Sequence, residues 1–94
     1  MATYVMFGKY TPEAMKGVSA ARTDEASALV RKYGGEIKAA YALLGQTDLV
    51  VIADFPGTRE AVKASMSLTK LTGVGFATSP AIAVEELDRL IAEI

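Results

Sequence analysis

The stretch LLGQTDLVVIADF (43–55) decides the fold. Leu43 and Leu44 close one apolar run, and Leu49, Val50, Val51, Ile52 and Ala53 form the next. Between them lie Gly45, Gln46, Thr47 and Asp48. A loop of this length joins two antiparallel strands, one over about 36–44 and one over about 48–55. In the second run both parities are apolar. A strand with one face in water alternates apolar and polar residues. This strand is therefore expected to be buried on both sides.

Working outward, Thr3 to Tyr10 reads as a strand, aromatic and β-branched, stopped by Thr11 and Pro12. Thr11 suits a helix N-cap and Pro12 the first helical position. One helix is expected from Pro12 to about Tyr33. Met15, Val18, Arg22, Ala26, Leu29 and Tyr33 make its stripe. Gly34 is expected as a left-handed cap. After the hairpin, Pro56 and Gly57 fit a type II turn, and Thr58 is expected to cap a helix running to Thr72 and ending at Gly73. A strand follows from Val74 to about Ser79, with Pro80 ending its regular pairing. A last helix over about 84–94 carries Leu87, Leu90, Ile91 and Ile94 on one side.

The order is β-α-β-β-α-β with a C-terminal helix, in one domain over 1–94. That is the ferredoxin-like α+β arrangement, an antiparallel sheet with helices on one face. The other face also reads as apolar. In the first strand Tyr4 and Met6 lie opposite Val5 and Phe7. In the second, Ile37, Ala39, Tyr41 and Leu43 are expected to face one way, and Ala40, Ala42 and Leu44 the other. Composition agrees: 51% of the 94 residues are hydrophobic and mean hydropathy is +0.27. A domain this small buries only ~60–65% of its unfolded surface. The second face is thus expected to meet the sheet of another copy, giving a homodimer or larger homo-oligomer as a dimeric α+β barrel.

Net charge is −1, with 10 basic and 11 acidic residues and no long run of one sign. No basic patch invites nucleic acid. There is no Cys, His or Trp. This removes thiolate nucleophiles, zinc-thiolate sites and the commonest general base and metal ligand. No metal and no cofactor is expected. The first residues lack the pattern of a signal peptide, and no apolar run approaches the ~18 residues of a membrane helix. The expected location is the cytoplasm, with no membrane partner.

Three stretches carry a resemblance: TYVMFGKYTPEAMKG (3–17), YALLGQTDLVVIADFPG (41–57) and TKLTGVGFATSPA (69–81). Together they resemble the GYD domain proteins over nearly the whole chain. That family is named for a Gly-x-Tyr-Asp loop between its second and third strands. Gly45 and Asp48 stand in place here, and Thr47 occupies the Tyr position. The resemblance implies the fold and little about activity. More distantly, the chain resembles the regulatory domain of the leucine-responsive and asparagine-type bacterial transcription regulators, whose hairpin loop often carries Gly-x-x-Asp. That likeness implies dimers that associate further, with small amino-acid effectors between them.

Few residues offer chemistry. Gly73–Val74–Gly75 precedes a strand, so it is no phosphate loop. Asp24, Glu25, Glu85, Glu86 and Asp88 read as solvated helix residues, and Asp54 as a solvated strand end. Asp48 and Asp54 lie ~20 Å apart along one strand and cannot share an ion. Lys63, Ser67 and Lys70 read as a wet helix face. The candidate ligand-binding set is Gly45, Asp48, Tyr4, Tyr41, Lys9 and Tyr10. Asp48 has two readings: an acceptor for backbone N–H groups that fixes the hairpin, or a carboxylate gripping a small ligand between subunits. Three functions are open. In order they are a homo-oligomeric small-molecule-binding or assembly module, a purely structural subunit, and a cofactor-independent enzyme resembling monooxygenases or isomerases of small substrates.

Overall fold

A computed structural model describes residues 1–94. Its strands are β1 (Ala2–Lys9), β2 (Glu36–Ala42), β3 (Leu49–Phe55) and β4 (Gly75–Ala81). Its helices are α1 (Pro12–Lys16), α2 (Ala20–Lys32), α3 (Thr58–Thr72) and α4 (Val84–Ala92). The sheet order is β2-β3-β1-β4, with each neighbouring pair antiparallel. This is the ferredoxin-like α+β fold the element order implied.

β1 alternates as expected. Tyr4 and Met6 are buried toward the helices, while Val5 and Phe7 point the other way. On β3, Val51, Ala53 and Phe55 are buried, and Val50 and Ile52 turn to the opposite face. Val30 of α2 and Ala61, Ala64 and Leu68 of α3 close the core from above. Phe55, Met6 and Val30 are its largest fully buried side chains. Tyr4 and Phe55 meet edge to face, with centroids 5.8 Å apart.

β2 departs from strict alternation. Ile37 stands opposite Ala53, and Ala39 opposite Ile52, so Lys38 is an extra residue in a β-bulge. One inserted residue reverses the parity. Ile37 therefore shares the helix side with Ala40 and Ala42, and Ala39 and Tyr41 lie on the open side. The expected grouping of Ile37 with Ala39 and Tyr41 is corrected.

The single helix expected from Pro12 to Tyr33 is two. Gly17 ends α1, and Ser19 starts α2 by accepting a hydrogen bond from the Arg22 N–H. Gly is a poor helix former and Ser a strong N-cap, so the break is local chemistry. Met15 and Val18 lie outside the packed stripe and are exposed. Gly34 and Gly73 take positive φ, 80° and 77°, as caps should. Gly57, not Thr58, is the N-cap of α3, and its extended φ of −173° rules out the type II turn. Pro80 does not end β4: it pairs with Tyr4, and Ala81 with Thr3. β4 is an edge strand, where a missing N–H costs nothing if it faces outward.

α4 buries no residue: all its residues are exposed, Leu87, Leu90 and Ile91 among them. The Cα radius of gyration is 14.2 Å, against ~12.4 Å for a compact chain of this length. The protruding helix explains the excess. No helix is long and apolar enough to cross a membrane.

Because Phe55 is fully buried beside Tyr4, Phe55→Ala is expected to cost about 3–5 kcal/mol. Urea unfolding followed by circular dichroism measures this. A loss below about 1 kcal/mol would mean that the core does not centre on Phe55.

Candidate functional site

The hairpin between β2 and β3 gathers four of the six candidate residues. The Asp48 N–H donates to the Gly8 carbonyl at 2.8 Å, and the Leu43 N–H to the Asp48 carbonyl at 2.9 Å. The Asp48 carboxylate accepts the Tyr10 N–H at 2.8 Å. Lys9 Nζ donates to the Gln46 carbonyl at 2.9 Å. Gly45 takes a φ of 154° at the loop tip, a value L side chains rarely adopt. Asp48 thus ties the loop to the residue where β1 ends. Its side chain supplies the acceptor that a continued strand would have supplied.

Tyr4 and Tyr41 do not join this group. Tyr4 is 4% exposed in the core, and its hydroxyl lies 3.2 Å from Thr58 Oγ1. Tyr41 sits on the open sheet face, 60% exposed, opposite Val50. Asp54 is not simply solvated. It accepts from Thr3 Oγ1 at 2.7 Å and lies 3.7 Å from Lys38 Nζ. Ser67 is likewise bound across the helices, 3.1 Å from the Tyr33 hydroxyl. No three acidic side chains meet at one point.

Reasoning from sequence did not single out Arg22. A cavity of about 270 Å³ lies between α2 and the sheet, and Arg22 and Tyr10 line it together with Ile37, Leu49, Val51 and Leu68. Arg22 Nη1 donates to the Ala14 carbonyl at 2.6 Å, and its guanidinium carbon stands 5.9 Å from the Tyr10 ring centroid. The signal was present: Arg22 is the one charged residue in the stripe whose Ala26, Leu29 and Tyr33 pack against the core.

A family model for the GYD domain matches residues 4–91. The chain belongs to the GYD domain family. In this member the loop between β2 and β3 keeps Gly45 and Asp48, with Thr47 where the family's signature has Tyr. No curated protein matches it. Among solved structures it is similar to the leucine response regulatory protein LrpA of Mycobacterium tuberculosis. There the TM-score is 0.58 at 11% identity, over 87% of this chain and 51% of that one. A crystal structure of a glutamate-to-alanine mutant gives 0.57 at 11% identity, over 87% and 50%. The GYD chain spans about half the length of these structures. At such identity the likeness is one of fold.

Asp48→Asn is expected to cost about 1 kcal/mol or less, since the amide oxygen still accepts the Tyr10 N–H. Asp48→Ala leaves that N–H without its partner and is expected to cost about 1–3 kcal/mol. Urea unfolding of both variants measures the difference. Equal losses in the two would show that charge, not the acceptor, holds the loop.

Proposed function

We infer that this GYD domain protein is a homo-oligomeric α+β-barrel module, built from dimers packed sheet to sheet, that binds a small molecule. One observation carries the reading: the sheet face opposite the helices is apolar and bare. Val5 and Phe7 from β1, Val50 and Ile52 from β3, and Ala39 and Tyr41 from β2 lie side by side there. Phe7 is 41% exposed and Tyr41 60%. A contiguous apolar sheet face is rarely left in water. A second copy offers the same surface, so one two-fold axis covers both faces at the ~10 Å spacing of packed sheets. The bare apolar side of α4 supports the same conclusion, because it gives each chain an arm that its own sheet does not use.

The ligand-binding half of the reading has two supports. One is the cavity beneath α2. The other is the shared fold with a leucine response regulatory protein. The enzymatic alternative calls for Tyr hydroxyls and Asp48 around one cavity. Within the chain Tyr4 is engaged by Thr58 and Asp48 by Tyr10, on different parts of the fold.

Position along β3 separates assembly from folding. Val50→Lys with Ile52→Lys places two charges on the open face, and the expected product is a folded monomer by sedimentation velocity. Val51 is 7% exposed in the core. Val51→Lys buries an unpaired charge and is expected to unfold the chain, with loss of the far-ultraviolet dichroism. A wild-type protein that sediments as a stable monomer at micromolar concentration would overturn the proposed assembly.

A further inference from the structure

The cavity beneath α2 is used by neither the sheet dimer nor the hairpin. Its origin is small residues on facing elements. α2 presents Ala26 and Ser27, and β2 presents Ala40 beneath them. Ala40 points to the helix side yet remains exposed, because no side chain fills the space above it. The resulting 270 Å³ equals roughly nine water volumes. Its floor is apolar and comes from β2, β3 and α3.

Arg22 is the charged group in this lining. The two salt bridges of the chain are both made by Lys38, so Arg22 has no acidic partner. Its single side-chain hydrogen bond goes to the Ala14 carbonyl. A guanidinium carries five N–H donors, so four are left. Gly17 makes this placement possible: a Cβ there would stand 2.7 Å from Arg22 Nη1. Tyr10 flanks the group on another side. A cation over apolar walls acts on an anion more strongly than one in open water, because the local dielectric is lower. Ser27, also in the lining, makes no side-chain hydrogen bond within the chain and offers a second donor.

We propose that this cavity binds a small organic carboxylate, its apolar body on the sheet and its carboxylate on Arg22. The planar guanidinium fork matches a carboxylate in two parallel hydrogen bonds. The volume admits a ligand of about ten non-hydrogen atoms. The inference rests on the ligand-binding half of the reading above and not on self-association, since every lining residue belongs to one chain.

Amide NMR titration of the full chain with phenylacetate, and with uncharged phenylacetamide, tests it. Phenylacetate is expected to shift amides of α2 and β2 and to saturate in the millimolar range, with phenylacetamide about tenfold or more weaker. Arg22→Gln is expected to weaken phenylacetate on the order of tenfold to a hundredfold and to leave phenylacetamide unchanged. Ala40→Leu fills the void, and is expected to abolish both while the melting temperature stays at or above wild type. No saturable shift with phenylacetate at about 10 mM, equal affinity for acid and amide, or unchanged binding in Arg22→Gln would each overturn the proposal. Sedimentation of the same samples keeps the two readings apart. A dimer that binds no carboxylate overturns this inference alone, and a monomer that binds one overturns only the assembly.

Discussion

A sheet has two faces, and this chain supplies helices for one. The rest of the structure follows from that constraint. The helix side holds the core: Met6 and Phe55 fully buried, with Val30 and Leu68 above them. The other side holds residues of the same chemical kind with nothing over them. Alternation cannot be the explanation, because β1 and β3 are apolar at both parities. Burying one such side chain is worth ~1.5–3 kcal/mol. Val5, Val50 and Ile52 are already part-buried in the single chain and Phe7 is 41% exposed, so the face leaves only part of that value, on the order of a few kcal/mol in all, unrealised.

Polar contacts fix where that face begins and ends. At one end Asp48 holds the backbone of Tyr10 and Lys9 reaches the loop carbonyl of Gln46. At the other, Thr3 and Lys38 meet Asp54. The Lys38 bulge is tied to the second group. It adds one residue to β2 and so brings Tyr41 beside Val50 and sends Ile37 into the core. Lys38 itself is half exposed, and its ion pairs with Glu36 and Asp54 add little to stability. Its weight lies in register. Were Lys38 paired in the ladder like its neighbours, Tyr41 would stand opposite Leu49 and point at the helices.

Most of the architecture was legible, for physical reasons that can be named. Strand order follows from element order, and the buried positions of β1 and β3 follow from period two. Gly34 and Gly73 marked helix ends because few other residues take their φ. What stayed hidden depends on partners distant in sequence. The bulge is set by how β2 meets β3, and no local signal in Ile37–Lys38–Ala39 announces it. Pro80 reads as a strand end until β4 is known to be the edge strand. The helix break at Gly17 was legible in principle, since Ser19 is a good N-cap, but a stripe at spacings of three and four spanned it. Asp48 was read as either a loop tie or a ligand grip, and the structure gives it the Tyr10 N–H. Arg22 was counted as part of a packing stripe. Its charge stands out only once the void it lines is seen.

The two surfaces of interest lie on opposite sides of one strand. Leu49 and Val51 form part of the cavity floor, while Val50 and Ile52 form part of the bare face. Successive side chains of β3 therefore report to different environments through one backbone. Tyr10 links them again, since it lines the cavity and its N–H is held by Asp48 at the hairpin. In the proposed assembly, a ligand that spread α2 from the sheet would act on the strand that the second copy would pack against. A free-energy coupling of this kind is reciprocal: assembly would then change ligand affinity by the same factor as the ligand changes assembly. If both proposals hold, β3 would connect the small molecule and the subunit contact without either one touching the other.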